Sequence, residues 1–399
     1  MKRTAKTILC NARVLTPFRN IPRGGVVVEG KRIAEVFEGD PAERWAGQRR
    51  IDLGGRILAP GFIETHTHGA GGHDFMDGTS EAVREACRAH LRHGVTALYP
   101  TTLTSSLPEL TRVLEVIDQA RDELEGMPAI PGVHLEGPYL SPAQSGAQDS
   151  RYLRNPEPRE YLPLLERFGF IRRWTAAPEL PGGLQLGRDL EKRGVVASIG
   201  HSNAVYEEVL AAFRNGYRLV THLFNGMSRL VRRNAWMHLG VSEAALAIDG
   251  LAVEIIADGR HLPAPLLRLI YRVKGPEAIC LSTDSMRAAA QDVTESILGG
   301  LADGQRVLVE EGVAFLPDRS AFGGSVATAD RLVRTMVELA GVPLAEAVRM
   351  LTHTPARVMG IADRKGSLEP GKDADLVAFD QGIRIGLVVV QGEIRLQAL

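Results

Sequence analysis

Between residues 57 and 285 the chain repeats one rhythm: an apolar strand candidate, a loop, then an amphipathic stretch with helical spacing. Eight strand candidates are counted, ending near His66, Thr101, Glu136, Ala176, His201, His222, Ala257 and Asp284. Helical patterns over Glu81 to His93, Leu107 to Glu123, Val205 to Asn215 and Pro263 to Lys274 separate several of them. Strands alternating with helices predict a parallel sheet joined by right-handed crossovers. Eight such units in roughly 230 residues is the size of a (β/α)8 barrel. The expected class is therefore α/β, a TIM-like barrel, with Ala327 to Met359 forming two further helices.

The two ends of the chain have a different texture. Thr7 to Val14, Gly25 to Glu29 and Arg32 to Val36 are short Val/Ile-rich pieces broken by turn signals such as Glu29-Gly30-Lys31. Leu376 to Phe379 and Leu387 to Val390 repeat that pattern. The ends are expected to pair into one small β-sandwich module, residues 1–56 with 363–399, and the barrel, residues 57–362, is inserted between them.

A barrel of this kind gathers its chemistry at the C-terminal ends of its strands. His66-Thr67-His68 follows the apolar run Ile57 to Ile63, and two imidazoles two residues apart on an extended segment face the same side. Glu136 closes the third strand, His201 the fifth, His222 the sixth and Asp284 the eighth. A lone histidine after a strand is ordinarily a hydrogen-bonded or exposed one. Six residues in phase with the strand repeat form the mixed nitrogen and oxygen set that zinc, iron or another divalent transition metal prefers.

Composition narrows the classes. Forty-seven Lys and Arg balance 48 Asp and Glu, a net charge of −1, which gives no basic footprint for nucleic acid and no electrostatic pull to a membrane. No window approaches the ~20 apolar residues of a membrane span, and no apolar stretch of signal-peptide length follows the charged N-terminus. Cys10, Cys87 and Cys280 have no metal spacing and suit a reducing compartment. A cytoplasmic enzyme is the expectation.

The motifs then reach a resemblance. Leu58 to Gly69, His134-Leu135-Glu136-Gly137-Pro138, Gly200-His201-Ser202, Thr221 to Met227, Ala257 to His261 and the tail Gly366 to Leu376 resemble the amidohydrolase superfamily. Within it they are similar to the deacetylases of amino-sugar phosphates. That resemblance implies hydrolysis of the acetamide of N-acetylglucosamine 6-phosphate to glucosamine 6-phosphate and acetate, with one or two divalent ions, zinc or iron. It implies that Glu136, His201 and His222 hold one metal and that His66 and His68 hold a second, with Glu136 able to bridge. Relatives that bridge their metals with a carboxylated lysine on strand four are set aside, because Phe170 to Thr175 contains no lysine.

Further roles come with the resemblance. Asp284 would take a proton from the attacking water and deliver it to the leaving nitrogen, or serve as a plain ligand. His261 would hydrogen-bond the acetyl carbonyl; the alternative is a surface loop histidine. Gln148, Asn225 and Gly226 match substrate contacts. Arg233, beside Arg232, falls near the spacing of a phosphate-binding arginine that reaches in from a neighbouring subunit, which would require a homodimer; the pair otherwise reads as solvated. The family's Arg-Glu-Pro-Gly is here Arg233-Asn234-Ala235-Trp236. Met286 to Ser320 corresponds to a flap over the site.

Rival readings are a deacetylase of another N-acyl amino sugar, such as N-acetylgalactosamine 6-phosphate or an unphosphorylated sugar, and a deaminase of the same superfamily. A catalytically silent sugar-phosphate sensor is a third, which retention of Asp284 argues against. His134 is assigned a supporting place behind Glu136. His90 and His93 are expected far from the catalytic rim, and His73, His238 and His353 carry no assignment. Gly323-Gly324-Ser325 lacks a P-loop pattern.

Overall fold

A computed structural model describes residues 6–39, 44–45 and 47–399, together with the backbone but not the side chain of Arg233. Eight parallel strands form the barrel in sequential order: β1 (Phe62–Thr67), β2 (Val95–Thr102), β3 (Val133–Glu136), β4 (Ile171–Ala176), β5 (Val196–Ile199), β6 (Tyr217–Val220), β7 (Ala252–Ile255) and β8 (Ile279–Leu281). The first and last strands are joined beyond their ends. Asp284 N donates to His66 O at 2.9 Å and His68 N to Ser285 O at 2.8 Å.

The helices that cover the barrel are set by their starts and their apolar faces. Thr79 caps Ser80–Arg92, its hydroxyl accepting from Ala82 N, and Ser106 caps Leu107–Glu123 by accepting from Glu109 N. Each such cap contributes about 1 kcal/mol. Leu110, Val113, Leu114 and Ile117 fall on one stripe of the second helix and are buried, which is the spacing that makes a helix pack on a sheet.

Ala327 to Met359 holds three helices where two were expected: Ala329–Glu338, Leu344–Met350 and His353–Val358. Pro355 explains the extra break. It has no N–H for the carbonyl four residues back, and its ring clashes with that carbonyl, so the chain restarts at Thr352.

The apolar run Ile57 to Ile63 is likewise two strands. Ile57–Pro60 pairs in parallel with Lys6–Leu15 and antiparallel with Leu376–Phe379, while Phe62 begins β1. Gly61 makes the crossing between the two sheets, where a Cβ would lie 2.2 Å from Thr96 Oγ1. Only glycine fits that approach.

The terminal segments form a separate eight-stranded sheet. From one edge its path runs Glu393–Gln397, Ile385–Val390, Leu376–Phe379, Ile57–Pro60, Lys6–Leu15, Asn20–Glu29 and Arg32–Glu38, with Arg49–Asp52 paired to Lys6–Leu15. The sheet folds over on itself, since Ile33 N donates to Lys372 O and Ala374 N to Lys31 O. Leu9, Val26, Ile33, Leu58, Leu376 and Val389 share the resulting core.

Two additions sit at the mouth of the barrel. A four-stranded antiparallel sheet, Glu295–Leu298, Gln305–Glu310, Val313–Phe315 and Phe322–Ser325, occupies much of the expected flap. A hairpin, Val231–Arg233 with Trp236–His238, projects outward and exposes Leu230, Val231, Trp236 and Met237. None of the described helices is long and apolar enough to cross a membrane.

Candidate active site

A cavity of about 400 Å³ opens at the C-terminal ends of the strands. Its wall includes His68, Glu136, His201, His222, His261 and Asp284, and the His66 ring lies buried just behind them. The strand repeat thus brings together the six residues expected at strand ends. His66 and Glu136 stand on strands, whereas His201, His222 and Asp284 lie just past theirs with positive φ of 47°, 30° and 47°. Left-handed backbone costs a non-glycine residue on the order of 1 kcal/mol. Here it turns each side chain inward where a continuing strand would carry it away.

Glu136 is the centre of the group. Its Oε1 lies 3.1 Å from His222 Nε2, 3.3 Å from His201 Nε2 and 3.6 Å from His66 Nε2, and its Oε2 lies 3.2 Å from His68 Nε2. Asp284 Oδ1 is 3.2 Å from both His66 Nε2 and His68 Nε2. Two triads have ligand atoms within 4.8 Å of one another: His66, His68 and Glu136, and Glu136, His201 and His222.

All four imidazoles are held by their other nitrogen. His201 Nδ1 is 2.8 Å from Gln144 O, His222 Nδ1 is 3.0 Å from Asn225 O, His68 Nδ1 is 3.3 Å from Thr101 O and His66 Nδ1 is 2.8 Å from Glu254 Oε1. An acceptor at Nδ1 fixes the proton there and leaves the Nε2 lone pair free. Four such lone pairs therefore converge on one carboxylate. His66 Nε2 is fully buried and makes no hydrogen bond. That arrangement suits a cation and leaves a buried nitrogen orphaned without one.

The electrostatics agree. Burial opposes a charge on His66, but Asp284, Glu136 and Glu254 outweigh it and hold its pKa well above the usual value. His68 is lifted in the same way, against burial, to about 9 by Asp284 and Glu136. Burial works equally against the Glu136 carboxylate, yet His66, His201 and His222 keep it well below the usual range. The carboxylates of this cavity demand positive charge beside them.

The remaining expected residues separate. His261 lines the cavity; its Nδ1 is 2.7 Å from Asp258 Oδ2 and its ring packs 4.3 Å from that of Phe322. Asn225 and Gly226 are in the wall. Gln148 is committed to the protein at both ends of its amide: Nε2 donates to Glu136 Oε2 at 2.7 Å and Oε1 accepts from Thr104 N at 2.8 Å. The Arg233 side chain lies outside the described residues. His134 stands behind the ligands, with Nε2 2.7 Å from Thr175 Oγ1 and its ring edge-on to His66.

Three features escaped the sequence reading. Arg229 lies in the cavity wall, one of several arginines in a run where sequence offers no way to choose. Glu254 sits inside the apolar strand β7, where its only signal is a carboxylate among buried residues. His90, expected far from the rim, lies beside it: its Nε2 is 2.9 Å from Thr67 Oγ1, between the two histidines of the triplet. The helix after β1 turns its buried face back onto that loop, which sequence distance conceals.

The comparisons agree with this geometry. A family model described as the amidohydrolase family matches residues 57–395. The chain is 33% identical over 392 residues to the N-acetylglucosamine-6-phosphate deacetylase of Haemophilus influenzae, covering 97% of this chain and 99% of that one. It is 35% identical over 345 residues to the N-acetylgalactosamine-6-phosphate deacetylase of Escherichia coli O157:H7, covering 85% and 87%. A solved structure of a mutant N-acetyl-D-glucosamine-6-phosphate deacetylase from Mycobacterium smegmatis, in complex with N-acetyl-D-glucosamine-6-phosphate, superimposes with a TM-score of 0.90 at 32% identity, covering 98% and 100%.

Proposed function

The chain belongs to the amidohydrolase family, and from that footing we propose that its barrel mouth hydrolyses the acetamide of N-acetylglucosamine 6-phosphate, releasing acetate and glucosamine 6-phosphate. The observation that carries the proposal is the convergence of four Nε2 atoms and two carboxylates on one cavity. An amide is a poor electrophile and needs both an activated water and a protonated leaving nitrogen.

Glu136, His201 and His222 would hold one divalent ion and His66, His68 and Glu136 a second, zinc or iron by their nitrogen and oxygen donors. Such ions, when bound, lower the pKa of water and polarise the carbonyl. Asp284 accepts the water's proton and passes it to the departing amine. With no ion bound, the neighbouring His66 and His68 lower its pKa against the effect of burial. Asp258 steadies the His261 ring, leaving Nε2 to donate, when protonated, to the acetyl carbonyl. Gln148 keeps the Glu136 carboxylate in place from behind.

Arg229, Asn225 and the Gly226 backbone receive the phosphate side of the sugar. A guanidinium is the side chain whose fork matches phosphate oxygens. The protein is a homodimer in this account: the hairpin that carries Arg233 exposes Leu230, Val231, Trp236 and Met237, an apolar patch that a second copy covers. The dimer brings Arg233 to the neighbouring phosphate site. Three unpaired, buried cysteines and a phosphorylated substrate support a cytoplasmic location.

Acetate release measured across a panel tests the reading: N-acetylglucosamine 6-phosphate, N-acetylgalactosamine 6-phosphate and both unphosphorylated sugars. The highest kcat/KM is expected for N-acetylglucosamine 6-phosphate. Equal turnover of the unphosphorylated sugars removes the phosphate assignment, and ammonia without acetate removes the deacetylase.

A further inference from the structure

Glu254 is fully buried inside the barrel and forms no part of the cavity wall. Its Oε1 is 2.8 Å from His66 Nδ1 and accepts the His222 backbone N–H at 3.2 Å. Its Oε2 pairs with the guanidinium of Arg173 and accepts from Thr65 Oγ1 at 3.3 Å. Arg173, on β4, is equally buried. Its other contacts are Ser198 Oγ at 3.1 Å, Thr65 O at 3.2 Å and Thr221 Oγ1 at 2.9 Å.

A buried ion pair is weak evidence for stability, since apolar replacements of similar volume often do as well. The arrangement of donors shows another use. Arg173 has donors only, so Oε2 must accept. The His222 N–H is a fixed donor, so Oε1 must accept as well. A carboxylate so occupied has no proton to give to His66, and Nδ1 of that ring has to be the protonated nitrogen.

We infer that Glu254, held by Arg173, is the positioning residue that fixes the His66 tautomer with Nε2 unprotonated, and so sets occupancy of the ion site formed by His66, His68 and Glu136. Neither residue touches that ion. The inference rests on the metal reading above. The plainer alternative is that the pair only ties β1, β4 and β7 together.

Glu254→Gln separates the two. An amide has one accepting and one donating end, but both sides of Glu254 face donors. Arg173 takes the oxygen, the amide NH2 turns to His66 Nδ1, and the ring proton moves to Nε2, where it blocks coordination. Adding Arg173→Met removes the group that claimed the oxygen, which then turns back toward His66 and His222.

The test uses the full chain, stripped by chelation and equilibrated with Co²⁺ alone, with bound cobalt counted per chain and a thermal melt beside it. The wild type is expected to hold two equivalents. E254Q holds one tightly, the second weakened ~10–100-fold, and E254Q/R173M regains the second although its melting temperature is no higher. A structural tie predicts that the double variant is no better than the single one. Selective ¹⁵N-histidine NMR of the zinc-loaded wild type reads the tautomer without any variant and is expected to show His66 protonated at Nδ1. The inference is overturned by E254Q binding two equivalents at wild-type affinity, by a double variant that recovers nothing, by the opposite tautomer, or by a wild type holding fewer than two ions. A wild type that binds no cobalt also ends the metal-dependent reading; an unaltered E254Q leaves that reading standing.

Discussion

Asp284 and His66 meet twice. The Asp284 backbone N–H donates to His66 O at 2.9 Å, and its Oδ1 lies 3.2 Å from His66 Nε2. The contact that joins the eighth strand to the first is therefore the contact that sets a carboxylate against the imidazole pair. Barrel closure and site assembly are one event at this point, and the left-handed turn at Asp284 serves both.

Asp284→Asn keeps the backbone bond and the shape of the side chain but cannot take a proton. Acetate release is expected to fall by ~10²–10⁴-fold, the usual worth of a positioned general base. The ion held by Glu136, His201 and His222 is expected to remain, because Asp284 is not in that triad. Steady-state turnover with metal content on the same sample checks this; unchanged turnover removes the proton-transfer role.

Arg229→Ala tests the phosphate side of the cavity. Its guanidinium is anchored by a 2.8 Å bond from Nη2 to Phe224 O and otherwise faces the opening. Losing a charge-assisted hydrogen bond of about 1.5–3 kcal/mol lowers kcat/KM for the phosphorylated sugar ~10–100-fold. Unphosphorylated N-acetylglucosamine is expected to be turned over as by the wild type. An equal loss on both substrates assigns Arg229 to local structure.

Trp236→Glu tests the dimer. Trp236 is 77% exposed at the tip of the hairpin, so the change leaves the folded subunit intact. In sedimentation velocity the wild type is expected as a dimer and the variant as a monomer. KM for the phosphosugar is expected to rise with it. A wild-type monomer contradicts the assembly.

His90 makes a prediction about pH. Burial pushes its pKa down to about 3 from the ordinary 6.5. Between those values the unfolded chain binds a proton that the folded chain refuses, so stability falls as pH drops below about 6.5 and keeps falling toward 3. At pH 4.5 this group costs roughly 2–3 kcal/mol. In urea unfolding of the metal-free protein, His90→Gln is expected to flatten the loss of stability between pH 6.5 and 4.5, at some cost near neutrality from the lost Thr67 contact. Parallel curves for both proteins refute the assignment.

The residues that gather at strand ends were legible because a parallel barrel forces buried strands to be apolar throughout, so a histidine or carboxylate just after an apolar run stands out. His66, Glu136, His201, His222 and Asp284 each end or follow such a run. Glu254 was not legible, because the partner that makes a buried carboxylate tolerable, Arg173, is 81 residues away in sequence. The division of Ile57 to Ile63 into two sheets was hidden too: every residue in that run is buried whichever sheet it joins, and only the close approach at Gly61 marks the crossing. Arg229 illustrates a third limit. Three arginines between residues 229 and 233, Arg229, Arg232 and Arg233, look alike until the loop after β6 decides which faces the cavity.

The most direct measurement is reconstitution: remove metal with a chelator, confirm that acetate release from N-acetylglucosamine 6-phosphate stops, then add Zn²⁺ in measured equivalents. The account predicts that activity returns in step with metal bound, and that His201→Ala and His222→Ala neither bind the ion of their triad nor recover activity. Full acetate release from metal-free protein, or recovery in both alanine variants, would contradict it.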